Sequence, residues 1–584
     1  MSRFKYMSAG VLDSGRNLSN KRKNILLAAL ASILLASALI GIIVIRVNSR
    51  NSSTSHNGDH ILSNAHSIVK SSCTATLYPE LCYSTITSHP DVTKNVKSQK
   101  DVIEYAVNIT AKSVQKRYLK IKKLAHRKNL TTREVGALCD CLEMFSETLE
   151  ELREVTKGLE EYRTKKSLKQ HADDLKTLMS SVITDHETCL DGFSHMDTDN
   201  KVRKEVVKSG NQVEKMCSNV LAMICNMTNT DLANEMKLDG RKLKEQEETN
   251  GVWPGWLSGK ERKLLQLGMV TPNVVVATDG SGDYTTVADA VAAAPSKSKT
   301  RYVIRIKAGV YRENVEVPKG KTNIMFVGDG RKNTIITGSR SYKGGSSTFN
   351  SATVAIVGDG FLARDITFQN TAGASNHQAV ALRVSSDHSA FYQCDMLGYQ
   401  DTLYVHKRHQ FYIKCLVVGT IDFIFGDAEV VFQDCDIHAR RNDPGRKNVI
   451  TAQGRSDTNQ NTAIVIQKCR IGASSDLQPV QGSFPTYLGR PWKQYSRTVI
   501  MQSTISNVIN PAGWSPWDGT FALNTLYYGE YENKGEGART SERVKWKGYK
   551  VINRSSEAHG FTLGTFLDGA SWLPAIGFPF LLGL

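Results

Sequence analysis

Gln378, Gln400 and Asp422 recur at a 22-residue interval, each in or just before a short β-branched run. Like residues at a fixed interval are the trace of a solenoid, whereas a sandwich or barrel shares only the abundance of short strands. In a parallel β-helix with a coil of 22 residues, these three side chains stack on one face, neighbours lying about 4.8 Å apart. The surrounding grammar agrees. From Val274 onward, runs such as Tyr302–Ile306, Asn323–Val327, Thr334–Thr337 and Ala352–Val357 alternate with Gly, Asp and Asn, which predicts an all-β architecture.

The first half is written differently. No proline lies between Pro90 and Pro254, and only 12 of the 44 glycines precede Leu264. Asp101–Leu130 and Glu134–Leu168 space apolar residues by three and four among many charges, the pattern of amphipathic helices in a bundle. A chain of 584 residues therefore reads as two domains. Between them lie Gly251-Val-Trp-Pro-Gly-Trp256 and Arg262-Lys263-Leu264-Leu265, a linker whose dibasic pair is open to a processing protease.

Ile25–Ile45 is a run of 21 uncharged residues behind Lys21-Arg22-Lys23 and closed by Arg46, long enough to span a bilayer. The basic flank keeps residues 1–24 cytosolic and exports the remainder. Ala36-Ser37-Ala38 offers a signal-peptidase site as the alternative, but the length of the apolar run favours an uncleaved signal anchor and membrane contact through this segment. Asn51, Asn108, Asn129, Asn226 and Asn553 begin glycosylation sequons, as does Asn17 on the cytosolic side. Eleven cysteines in an oxidising compartment imply disulfides with at least one thiol left over. There is no CxxC pair to suggest a zinc ribbon, and His406 with His409 lacks a third ligand, so no metal or cofactor is expected.

The net charge is +17, and +8 from Leu264 to the C-terminus, so a polyanionic partner is expected. Nucleic acid, anionic lipid and acidic polysaccharide all qualify by charge. Export removes nucleic acid.

Gly309-Val-Tyr-Arg-Glu313, Gln378-Ala-Val-Ala-Leu-Arg383, Gly398-Tyr-Gln-Asp-Thr-Leu-Tyr404, Gly419-Thr-Ile-Asp-Phe-Ile-Phe-Gly426 and Tyr487-Leu-Gly-Arg-Pro-Trp492 resemble, in order, the signature segments of plant pectin methylesterases. The likeness runs from about Asn273 to Ser571-Trp-Leu-Pro574. It implies a right-handed parallel β-helix over 270–584 that hydrolyses methyl esters of homogalacturonan in the cell wall. Chemistry read from the residues is compatible. No Gly-x-Ser-x-Gly elbow occurs, while Asp401 and Asp422, 21 residues apart, offer one ionised and one protonated carboxyl group.

The resemblance assigns Asp422 as nucleophile, Asp401 as acid then base, Gln378 and Gln400 as oxyanion donors, and Arg490 as the cation that keeps the nucleophile ionised and oriented. Trp492 matches a substrate-contacting aromatic, with Tyr404, Phe425 and Thr348 as further contacts. Cys415 and Cys435 sit where the family often has a disulfide. The chain departs from the family at His409, where Arg is common, and at Lys414; neither is a catalytic position.

Cys73-x8-Cys82, Ala137-Leu-Cys-Asp-Cys-Leu-Glu143 and Glu187-Thr-Cys-Leu-Asp-Gly-Phe193 resemble the pectin methylesterase inhibitor family, a four-helix bundle. This likeness implies a pro-domain over 60–224, Cys73–Cys82 and Cys141–Cys189 disulfides, a linker over 225–265 cut at Arg262-Lys263, and a pro-region that masks the cleft or retains the precursor. It also makes a proteinaceous inhibitor a possible partner. The competing functions are a non-catalytic galacturonan-binding protein and a lyase or polygalacturonase acting on glycosidic bonds.

Overall fold

The computed structural model describes residues 64–89, 96–164, 167–194, 196, 200–238 and 271–584. The apolar segment 25–45, Asn51 and the Arg262-Lys263 pair lie outside the described residues. No described helix is long and apolar enough to cross a membrane.

The first half is helical. Helices α1 (64–74) and α2 (Pro79–Thr87) form a hairpin closed by the Cys73–Cys82 disulfide. They are followed by α3 (Gln99–Ala125), α4 (Thr132–Glu160), α5 (Leu168–Asp191) and α6 (Lys201–Leu238). Reciprocal capping boxes at Ser98/Asp101 and Thr131/Glu134 start α3 and α4, satisfying amides that a helix N-terminus leaves bare. The apolar stripe of each helix enters one core around Val102, Leu138, Phe145, Leu152, Met179 and Leu221, and Cys141–Cys189 ties α4 to α5. Helix α6 runs past Ile224, so the linker expected from residue 225 begins later. Asn108, Asn129, Asn226 and Asn553 are all exposed.

The second half is a parallel β-helix of three sheets with 11, 7 and 8 strands, in which all strand pairs are parallel. At the corner between the 11- and 8-stranded sheets, one residue per coil adopts a left-handed backbone: Asp365, Gln393, Lys414, Asp434, Lys468 and Gln502, with φ between 51° and 58°. Lys414 is thus a corner residue. Inside, Phe391, Tyr412 and Phe432 stack with centroids 4.7 Å apart in both steps, the spacing of neighbouring strands. The short helix α7 (Val287–Ala293) closes the N-terminal end of this core. Three short helices within Ser555–Trp572 cover the outer face of the 11-stranded sheet, where Leu563, Leu567 and Leu573 pack on Phe411 and Val431.

The 22-residue reading needs one correction. Ala379 N–H donates to Gln400 O, a 22-residue offset that aligns Gln378 with Gln400. Ala381 and Leu382 then both donate to Thr402 O, at 2.8 and 3.3 Å, a local bulge. Beyond it the offset is 21 residues, as in Leu382↔Leu403↔Ile424. The bond from Asp401 N–H to Ile421 O (2.9 Å) keeps that offset, so Asp422 stacks on Asp401 rather than on Gln400.

Cys415 and Cys435 are free thiols rather than a disulfide. They belong to a file of stacked cysteines, Cys394, Cys415, Cys435 and Cys469, in successive coils. Each sulfur is already committed to backbone: Cys415 Sγ–H points to Phe391 O (3.3 Å) and Cys435 Sγ–H to Tyr412 O (3.4 Å), while Cys435 Sγ accepts from Cys415 N–H (3.4 Å).

Truncating one ring of the interior stack removes contacts that the rigid coils cannot refill. Phe391→Ala is expected to destabilise the β-helix by about 3–5 kcal/mol, read as a lowered denaturant midpoint; a loss below about 1 kcal/mol would show that the stack is not the core of this half.

Candidate active site

The strands Leu382–Val384, Leu403–Val405 and Ile424–Gly426 lie side by side in the 7-stranded sheet, so the segments just before them present Gln378, Gln400/Asp401 and Asp422 in neighbouring coils. Asp401 and Asp422 both have left-handed φ, 61° and 51°, which turns the chain out of the corner and into the strand. Gly426 ends the third strand at φ 132°, where a Cβ would strike the carbonyl of Val405 in the previous coil. That contact explains why the Phe-Ile-Phe segment must finish in glycine.

Both carboxylates are nearly sealed, at 7 % and 5 % exposure, so ionising both is costly. Arg490 distinguishes the two. Its Nε and Nη2 reach Asp422 Oδ1 and Oδ2 at 2.8 and 2.5 Å, a two-point ion pair, and its guanidinium stacks 4.2 Å over Trp517. Asp401 has no such partner: burial first, and then the negative charge of Asp422, push its carboxyl well above the ordinary range, against a smaller opposing pull from Arg490. The surroundings therefore favour the proton on Asp401, while both oxygens of Asp422 face the guanidinium. The Gln400 Oε1 atom is buried without a hydrogen-bond partner.

All nine residues singled out for catalysis or substrate contact, Thr348 included, line one cavity of about 630 Å³. Tyr404 and Phe425 stack at 4.2 Å with Trp492 tilted against both, 6.4 and 5.7 Å away. Sequence reading missed Phe349, which carries the Arg383 guanidinium 3.5 Å above its ring, and Trp517, Arg446 and Lys447 on the wall. No local motif distinguished them. His406 and His409 separate: His406 bonds Ser385 (2.9 Å) and Thr188 (2.8 Å), whereas His409 bonds Asp387 (2.8 Å).

The unexpected wall is helical. Asp140, Thr188, Asp191, Gly192 and Ser194 of the first half also line the cavity, and Met144 of α4 packs among Phe349, Val380, Tyr404 and Phe425. Charges follow the same division. Lys407 Nζ meets Glu147 (2.8 Å), Glu151 (2.9 Å) and Asp185 (2.7 Å), and Lys493 Nζ meets Glu187 (2.6 Å) and Asp191 (2.7 Å). Thr184 Oγ1 donates to Asp427 (2.7 Å) and Ser218 Oγ to Asp457 (2.5 Å).

Comparison with known proteins agrees with this division. Residues 273–570 match the family model described as Pectinesterase, and residues 67–223 that described as Plant invertase/pectin methylesterase inhibitor. A pectinesterase/pectinesterase inhibitor, U1, of Solanum lycopersicum is 64 % identical over 570 residues, covering 97 % of each chain. A pectinesterase of Daucus carota is 74 % identical over 319 residues, which is 55 % of this chain and 100 % of the relative. A solved structure titled "Pectin methylesterase from Carrot" covers 54 % of this chain and 99 % of its own at 74 % identity and a TM-score of 0.54. With the carboxylate pair, its arginine and the β-helix that stacks them in place, the chain belongs to the pectinesterase family and carries an inhibitor-family domain ahead of its catalytic half.

Proposed function

We propose that the β-helical half hydrolyses the C6 methyl esters of galacturonan in pectin, releasing methanol and leaving free carboxylates, with Asp422 as nucleophile and Asp401 as proton carrier. Membership of the pectinesterase family supports the reaction. The observation that carries the roles is the asymmetric pair: Asp422 ion-paired at two points to Arg490, and Asp401 held protonated beside it. Asp422 adds to the ester carbonyl, and the tetrahedral oxyanion falls to the amides of Gln378 and Gln400, neutral donors that do not titrate. Collapse expels methoxide, which takes the proton of Asp401 and leaves as methanol. Asp401, now ionised, draws a proton from water; the hydroxide cleaves the acyl–Asp422 anhydride, and both carboxyl groups return to their starting states. Tyr404, Phe425, Trp492 and Thr348 form the sugar-binding floor and rim.

The helical half acts as a cis inhibitor. Met144 occupies the aromatic floor, and α4 and α5 lay carboxylates along the rim, so a polymer cannot enter until they leave. The precursor is a secretory-pathway protein delivered to the cell wall, with residues 25–45 as its membrane anchor, the exposed Asn108, Asn129, Asn226 and Asn553 open to glycosylation, and cleavage at Arg262-Lys263 as the releasing step.

Asp422→Asn is expected to lower methanol release from methylated pectin by at least about a thousandfold; near-normal turnover would remove Asp422 from the mechanism, and unsaturated or reducing ends in place of methanol would replace the esterase by a lyase or glycosidase. Asp422→Asn also removes the charge that raises Asp401, so the Asp401 midpoint in a carboxyl-carbon NMR titration is expected to fall.

The buried carboxyl groups make docking of the two halves depend on pH. Burial raises Asp140 to about 6, Glu143 to about 7 and Asp191 to about 6, and pushes Asp185 up in the same direction. Free of the interface these groups ionise near about 4, so the docked state holds extra protons; its stability is full below that value and declines as pH rises through 6 to 7. Glu151, held at about 2 by Lys407 and Arg408 against its burial, has the opposite sign, but its window lies below about pH 4.5. With the chain cut between its halves, the dissociation constant measured by size exclusion or calorimetry is expected to rise at least about tenfold from pH 5.5 to 7.5; equal or tighter association at pH 7.5 contradicts this.

A further inference from the structure

His409, which the fold separates from His406, finds other partners. Ser389 pairs with Gln410 in adjacent strands, so His388 and His409, one residue earlier on each, lie side by side in successive coils. Their rings stack with centroids 5.1 Å apart. Asp387 completes the group: its Oδ2 lies 3.1 Å from His388 Nδ1 and its Oδ1 lies 2.8 Å from His409 Nδ1. One ligating atom from each of the three residues lies within 4.8 Å of the other two. The other such cluster among the described residues, Glu147, Glu151 and Asp185, is already filled by the Lys407 ammonium.

Two imidazole nitrogens and one carboxylate oxygen are the donor set of a borderline divalent transition ion, Zn²⁺ above all, and not of Ca²⁺, which takes six to eight oxygens. Bonds of about 2.0–2.2 Å to a tetrahedral ion set neighbouring donors about 3.3 Å apart, and both nitrogen–oxygen distances here are close to that. Hydrogen bonds hold the carboxylate in place: Asp387 Oδ1 also accepts from His409 N–H (3.2 Å), and Asp387 N–H donates to Asp359 Oδ1 (2.9 Å). On the far side of the His409 ring, Nε2 faces Glu429 Oε1 at 3.6 Å, the arrangement in which a carboxylate backs a metal-bound histidine. Trp572 meets the His388 ring edge-on, 5.1 Å between centroids. Asp359, Asp387 and His388 lie on the wall of an open concavity of about 590 Å³, which gives an ion its way in and leaves room for a water in the fourth position.

We propose that Asp387, His388 and His409 form a Zn²⁺ site on the β-helical half, at the edge where α5 and the C-terminal helices meet it. Thr177 of α5 lies 3.4 Å from His409 Nε2 and donates to Glu429 (2.5 Å), and Trp572 belongs to the last of the C-terminal helices. The ion joins the turn at Asp387-His388 to the strand His409–Ile413 of the next coil, and so clamps the sheet beneath both sets of helices. The site sits at the 11-stranded sheet and the acid pair beside the 7-stranded one, so the ion's role is structural and it takes no part in ester hydrolysis.

The test uses the full chain, freed of metal by a chelator, with zinc chloride as the only added ligand. Calorimetry is expected to find one tightly bound Zn²⁺ per chain, with an affinity that His388→Gln and His409→Gln each lower at least about a hundredfold and Glu429→Gln about tenfold. His126→Gln, on the helical half, is expected to keep it. Excess Zn²⁺ is expected to raise the unfolding midpoint of the unmodified chain and not that of His388→Gln; calcium chloride is expected to raise neither. The His388 side chain is 40 % exposed, so its replacement is expected to leave the metal-free midpoint unchanged, which separates lost ligation from misfolding. Co²⁺ in place of Zn²⁺ is expected to give the unmodified chain the visible absorption of a four-coordinate nitrogen and oxygen site, a readout that needs no variant. Absence of saturable Zn²⁺ binding and of that Co²⁺ band would overturn the proposal. Unchanged affinity in both histidine variants, or stabilisation by Ca²⁺ equal to that by Zn²⁺, would overturn it as well.

Discussion

In-register stacking of parallel coils is the constraint on which the rest depends. Because neighbouring strands lie about 4.8 Å apart, residues one coil apart in sequence become lateral neighbours, and every group needed for the chemistry can be held by backbone alone. Asp401 and Asp422 meet this way, as do Tyr404 and Phe425. The same register builds the Phe391–Tyr412–Phe432 core beneath them and the file of cysteines beside it. A one-residue change of offset at the Ala381–Leu382 bulge is enough to decide which residue Asp422 stacks on.

Stacking two acids creates an electrostatic problem, and its solution is the functional feature. Two carboxylates in a sealed site cannot both ionise cheaply. Arg490, delivered from a later coil, takes Asp422 by two hydrogen bonds and leaves Asp401 to keep its proton. In the proposed mechanism one fold element thus yields an attacking group and a proton donor from the same amino acid. The helical domain works with the same currency on a larger scale, matching buried lysines and arginines of the cleft rim with carboxylates of α4 and α5. Such buried pairs cost desolvation as well as gaining attraction, which makes the interface specific and sensitive to protonation.

Much of this was legible in the sequence because it is local or periodic. The β-helix followed from short β-branched runs and the repeat, the bundle from three- and four-residue spacing, and the site from five ordered motifs; all nine proposed site residues share one cavity. What failed was register and redox. A single bulge is invisible in sequence, so the 22-residue interval was right for Gln378 and Gln400 and wrong for Asp422. Cys415 and Cys435 are close in space, but both are free thiols and each also has a backbone hydrogen bond. Met144 and the glutamates of α4 read as ordinary positions on an amphipathic helix, and nothing local tells which helix face meets a cleft hundreds of residues away.

The central claim is that Asp422 forms a covalent acyl intermediate. Its most direct measurement is hydroxylamine trapping during turnover of methylated pectin by the catalytic half, with the modified carboxyl group located by peptide mass spectrometry. The account predicts a substrate-dependent hydroxamate on Asp422 and none on Asp401. Sustained methanol release with Asp422 unmodified, or trapping at Asp401 instead, would contradict it.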